Sequence, residues 1–183
     1  MEIKISTDPT MPQPIIDMLS AKGWSIYQNN LEMYAEVPDD VIEQDVLDII
    51  AAFDPLPGCI ADAHARIDNA AGEARARYIT VAPGQDAVYA LKKEQAESYK
   101  AEGYPVDTTK YLLIQAEANA MASSTTVACD YILATANQWM QLAAAIEQIR
   151  QSAKQSASGI TDKSQWKNIS QIGYDAVEQL NAV

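Results

Sequence analysis

The sequence predicts a mainly α chain with a small α+β module at its N-terminus. Three observations carry that expectation. Residues 1–38 hold short alternating apolar–polar runs around an Asn-Asn pair, as β-strands require. Residues 125–158 repeat apolar positions at a 3.5-residue period, as a long packed helix requires. Between them lie Ala-rich segments separated by Pro and Gly, which read as helices with marked ends.

The elements follow in order. Glu2 to Ser6 alternates about Ile3 and Ile5 and suits a short strand. Pro14 to Lys22 suits one short helix, with Ile15, Ile16, Met18 and Leu19 apolar and Gly23 as its stop. Trp24 to Tyr27 and Leu31 to Val37 flank Asn29-Asn30 and read as a β-hairpin. Six of the eight prolines fall in the first 57 residues, so this part of the chain is turn-rich where the remainder is not.

Helix takes over at Asp39, where Asp39 and Asp40 suit the N-terminal cap and the positive end of the dipole. Ile42, Val46, Ile49, Ile50 and Phe53 follow at helical spacing, and Asp54-Pro55-Leu56-Pro57-Gly58 ends the run. Residues 59–79 form an Ala/Arg-rich helix that Pro83-Gly84 breaks. Further helices are expected over 85–101, closed by Gly103, and over Thr108–Ala122. Ser123 and Ser124 cap the run from Thr125 to Ser158, and Gly159 ends it. Placing Ile132 at heptad position a puts Trp139, Ile146 and Ala153 at a, and Ala128, Thr135, Leu142, Ile149 and Ser156 at d. Such a helix extends roughly 50 Å, longer than a compact domain of this size needs. The expected organisation is a 1–38 anchoring module, a 39–84 helical connector and an 85–183 helical hairpin that bundles with copies of itself. The last helix opens at Thr161 and places Trp166, Ile169, Gly173, Val177 and Leu180 on one face.

Charge and composition exclude several roles. The net charge of −12 argues against nucleic acid as the main partner, because that affinity rests on clustered Lys and Arg. It equally disfavours an anionic membrane surface. No stretch approaches the length of an apolar membrane span, and Met1 to Thr10 lacks the apolar core of a secretory leader. The expected setting is synthesis in a cytoplasm, where the chain stays soluble until it joins something. Cys59 and Cys129 stand far apart, outside any CxxC pattern, and read as reduced thiols.

Catalytic constellations are equally thin. His64 is the single histidine, and it sits beside Asp62, Arg66 and Asp68 with no second His or Cys near it. It reads as part of a solvated helix face. Glu94, Glu97, Glu102, Glu117 and Glu147 read as wet helix faces rather than paired acid–base groups. No catalytic residue, metal or cofactor is assigned. Two apolar sets remain. Ile132, Trp139, Leu142, Ile146 and Ile149 form the expected oligomer seam. Trp24, Ile26, Tyr27, Leu31, Met33 and Tyr34 place apolar area on both hairpin faces, and form either a docking surface for a partner or a packing face for the chain's own helix over Asp39–Phe53.

Residues 50–158 carry a set of motifs. Phe53 to Pro57 reads FDPLP and precedes the Ala/Arg helix; Arg77 to Thr80 reads RYIT. Pro83 to Gln85, Val88-Tyr89, Tyr99 and Gly103-Tyr104-Pro105 follow, then Trp139, Ile146-Glu147, Arg150 and Lys154. This set resembles small tail-fibre and baseplate-region proteins of tailed bacteriophages. The resemblance implies a non-enzymatic structural component of the virion tail, with no fixed catalytic residues. Its implied partners are its own copies, for which the virion context favours a trimer, and another tail or fibre protein. An intracellular tail-fibre assembly chaperone, absent from the mature particle, is the alternative role. The N-terminal module and the last helix lie outside the resembling stretch.

Overall fold

The computed structural model describes residues 1–8, 10–78 and 85–183, without the side chains of Gln85 and Asp86. The expected break at Pro83-Gly84, and the Ile79, Thr80, Pro83 and Gly84 part of the motif set, lie outside the described residues. The fold is mainly α with a small N-terminal α+β module. Its elements are β1 (Glu2–Ser6), α1 (Gln13–Ser20), β2 (Ser25–Asn29), β3 (Glu32–Glu36), α2 (Glu43–Ala52), α3 (Leu56–Ala76), α4 (Gln85–Ala101), α5 (Leu112–Ala120), α6 (Thr125–Ser158) and α7 (Trp166–Ala182), with a 3-10 turn at Lys163–Gln165 before α7.

The chain divides into two compact units. Residues 1–71 and 149–182 form the first; residues 72–148, with Val183, form the second. Helices α3 and α6 contribute to both. This division differs from the expected one at 38 and 84, and the first unit's core gives the reason. The sheet has the order β1-β3-β2, antiparallel throughout. Its inner face, from Ile3, Ile5, Met33 and Ala35, packs with Ile15 and Leu19 of α1 and with the fully buried Val46 of α2. Ile49, Ile50 and Phe53 of α2 lie against the same core. A three-stranded sheet with one short helix buries too little to stand alone, and α2 completes it.

Helix α2 begins at Glu43 rather than Asp39. The Asp39 carboxylate lies 3.1 Å from the N-terminal ammonium, so it does not cap the helix. The second core of this unit joins Leu56, Cys59 and Ala63 of α3 to Ala157 of α6 and Ile169 of α7. Gly173 is buried on α7, and a Cβ there would lie 3.5 Å from that of Ala63, in ordinary contact.

In the second unit, Ala96 and Tyr99 of α4 pack with Tyr111, Ile114 and Ala118 and with Ala128, Cys129 and Ile132 of α6. The Tyr99 ring meets Tyr104 and Tyr111 edge-on, with centroids 5.5 and 4.9 Å apart. Gly103 has φ +76°, and the Tyr104 N–H donates to the Tyr99 carbonyl, closing α4. Helix α5 is shorter than the Thr108–Ala122 expectation. Asp107 accepts from the Thr109 N–H at 3.0 Å, and the Gln115 side chain donates to the Thr108 carbonyl at 2.6 Å. Those local bonds hold the chain in turns until Tyr111. Helix α6 spans Thr125–Ser158 as the repeat predicts, with the Ser124 hydroxyl accepting from the Val127 N–H.

Candidate functional site

The expected docking residues do not share one surface. Met33 is buried, and Trp24 and Ile26 pack against the first unit's core. Their exposure in a free hairpin is therefore corrected: α1 and α2 cover that face. Tyr27 and Tyr34 lie on the outer face as cross-strand partners, stacked with centroids 5.8 Å apart. The Tyr27 hydroxyl donates to the Glu2 carboxylate, and that bond is the main cause pushing its pKa up to about 12. The Tyr34 hydroxyl donates to Glu32 at 2.6 Å and is shifted the same way. Both phenols are committed to carboxylates.

Leu31 joins neither face. The tight turn is Asn30-Leu31, with φ +51° and +65°, and Leu31 is 68% exposed at its tip. Asn29 pairs with Glu32 as the last residue of β2, so the turn lies one residue beyond the expected Asn29-Asn30.

The helical seam is split in the same manner. Ile146 is fully buried and Ile132 nearly so within the chain itself, while Trp139, Leu142 and Ile149 are half-buried. Ile132 and Trp139 also line a cleft of about 710 Å³ in the second unit, together with Tyr78, Tyr89 and Tyr131. The cleft forms where the N-terminal half of α4 runs beside α6. At the other end of α4, Ala96 and Tyr99 close against Ala128 and Cys129, and the Cys129 thiol donates to the Ala96 carbonyl at 3.2 Å. The Tyr78 and Trp139 rings meet edge-on at 6.1 Å. Lys92 and Glu117 pair at 2.7 Å on the cleft wall, each about one-fifth exposed. Val88 and Leu91 on α4, and Val127 and Met140 on α6, stand exposed on the same two helices.

Tyr78 and Tyr89 belong to the motif set of residues 50–158 without being assigned to a surface there, and Tyr131 is not marked by the sequence. Tyr131 precedes a seam position by one residue, and nothing in the periodicity marks it as a lining group.

The chemistry-bearing residues are placed as follows. His64 is half-buried rather than solvated, with Nε2 3.1 Å from both the Lys154 carbonyl oxygen and the Ser158 hydroxyl. Asp68 accepts from Arg150 and from Lys154, each at 2.7 Å. Burial pushes the Cys59 and Cys129 thiols up, which disfavours the reactive thiolate. Among the described residues, no group of three or more His, Cys, Asp or Glu side chains is placed to hold a metal ion. Among the same residues, no helix is long and apolar enough to cross a membrane.

The motif letters of α6 have physical partners within each unit. Ile146 is buried and Glu147 pairs with Arg75 at 2.8 Å in the second unit; Arg150 and Lys154 hold Asp68 in the first. Comparison with protein-family models, with curated proteins and with solved structures finds no match to this chain.

Proposed function

We propose that this chain is a structural, non-enzymatic component of a bacteriophage tail, at a fibre attachment, baseplate or tail tip. In this reading it associates with its own copies and docks to a second tail protein. The tail setting comes from the resemblance carried by residues 50–158. The docking to a second protein rests on one observation, the aromatic cleft between α4 and α6.

That cleft is suited to a helix or an extended apolar segment of another chain. Tyr78, Tyr89 and Tyr131 are each about half exposed, with Trp139 beside them. An aromatic side chain carries about 150–250 Å² of surface. Covering half of four such rings removes a few hundred Å² from water, a favourable contribution on the order of 10 kcal/mol before the cost of association. The Lys92–Glu117 pair on the wall supplies polar groups that fix an orientation.

Mass spectrometry of purified particles of the encoding phage tests the role. The protein is expected in the particle at a fixed ratio to other tail proteins. Its absence there, with presence in infected-cell lysate, assigns the assembly-chaperone role instead. A Trp139→Ala chain should enter particles several-fold less efficiently.

A further inference from the structure

We propose that two copies of this chain pair through strand β2, antiparallel and centred on Tyr27, joining their sheets into one six-stranded sheet. This names the contact for the self-association proposed above and rests on that part of the reading alone.

β2 and β1 are both edges of the sheet, but only one is protected. β1 carries Glu2 and Lys4, and its register breaks between Lys4 and Ser6. Charge and bulges are the usual devices that stop an edge from pairing. β2 reads Ser-Ile-Tyr-Gln-Asn, has no charge, and pairs regularly with β3 over all five residues. Its outer backbone groups are fixed by the turn. The two-residue turn at Asn30-Leu31 makes Asn29 and Glu32 a hydrogen-bonded pair, and alternation extends this to Tyr27–Tyr34 and Ser25–Glu36. Ile26 and Gln28 therefore turn their N–H and C=O groups away from β3.

A second copy matches this edge. With Tyr27 on the two-fold axis, Ile26 of each chain faces Gln28 of the other and exchanges two backbone hydrogen bonds, four in all. The two Tyr27 residues form a non-hydrogen-bonded pair with Cα atoms about 4.5 Å apart, the closer of the two antiparallel spacings. Each Tyr27 already stacks on its own Tyr34, so the contact lines up four rings across the joined sheet.

Charge permits a like partner in spite of the net −12, because β2 itself carries none. The Glu2 carboxylate is held by the Tyr27 hydroxyl of its own chain, and Glu32 and Glu36 sit on β3, where two β3 strands would lie three strand spacings apart, about 14 Å. That exceeds the screening length at physiological salt, about 8 Å.

Sedimentation equilibrium of the purified full chain, without phage, tests the contact, so its result is independent of the virion role. A dimer is expected, and Gln28→Pro should weaken it at least about tenfold, because it removes an outward N–H from each copy while leaving the β2–β3 bonds. Circular dichroism checks that the variant folds. Independently, Tyr27→Cys should form a covalent dimer under mild oxidation far faster than Ser25→Cys, since 4.5 Å lies within disulfide reach. A monomer at about 100 µM, a trimer, or equal cross-linking of the two cysteine variants overturns the proposal.

Discussion

The Asp68 carboxylate takes Lys154 on one oxygen, 2.7 Å from the ammonium, and so ties the first unit's stretch of α3 to the end of α6. Arg150 occupies the other oxygen at the same distance. One carboxylate thus neutralises two cations a turn apart on α6, a spacing that places both on one helix face. The hydrogen bond from Lys154, then that from Arg150, holds the Asp68 carboxyl below its usual range.

Asp68→Asn should therefore lower stability, by up to about 1 kcal/mol, since the carboxylate is half exposed and solvent screens it. The pH dependence has a definite sign. A carboxyl whose folded pKa is depressed contributes stability above its unfolded value, near pH 4, and loses it as the pH falls through the folded value. Wild type should lose stability on acidification below about pH 4 more steeply than Asp68→Asn. Urea midpoints at pH 7 and pH 3 check this; parallel curves for the two proteins would contradict it.

The hairpin turn offers a stabilising change. Leu31 holds φ +65° with its side chain 68% exposed, so it bears the left-handed backbone strain and returns little packing in the single chain. Such strain costs about 1–2 kcal/mol for a residue with a Cβ, and Asn-Gly is the preferred pair for this turn. Glycine returns part of the gain through unfolded-chain entropy. Leu31→Gly should raise stability by about 0.5–1 kcal/mol, seen as a melting temperature higher by a few degrees.

Two glycines should respond in opposite ways to alanine. A Cβ at Gly58 would lie 2.4 Å from Pro14 Cγ, and neither the proline ring of α1 nor the first turns of α3 can move aside cheaply. Gly58→Ala should cost about 1–3 kcal/mol by overpacking. At Gly72, inside α3, a Cβ would meet nothing within 4 Å. Gly72→Ala should gain about 1 kcal/mol from helix propensity. Thermal melts of the two variants should move in opposite directions.

Local structure was legible where one residue type dictates it. The β1-α1-β2-β3 order followed from alternation, Pro14 and Gly23; the ends of α6 followed from Ser124 and Gly159. The misplaced boundaries have distant or competing causes. Asp39 suits a helix cap by sequence, and the N-terminal ammonium takes it across 38 residues of sequence. The Asn29-Asn30 pair between two alternating runs reads as the hairpin turn, yet Leu31 takes the second turn position although it is a poor residue for positive φ. The site was less legible, because an apolar stripe has one pattern whether its cover comes from the same chain or another. Trp24 and Met33 illustrate this: alternation put them on one face, and only the fold reveals that α1 and α2 cover it.

Ile146 provides the decisive case. As an a position it reads as a coiled-coil contact, in which an aspartate would separate subunits and leave each chain folded. In the fold it is fully buried by its own chain, next to the Arg75–Glu147 pair. A carboxylate there would be taken out of water, and Arg75 already faces Glu147. Burying an unpaired charge costs several kcal/mol, a large share of the stability of a domain this size. Ile146→Asp should therefore melt the second unit rather than only dissociate an oligomer. Circular dichroism and light scattering on one sample distinguish the two outcomes. Loss of helical signal together with a changed mass is expected; full helicity with a halved or smaller mass would return Ile146 to an intersubunit seam.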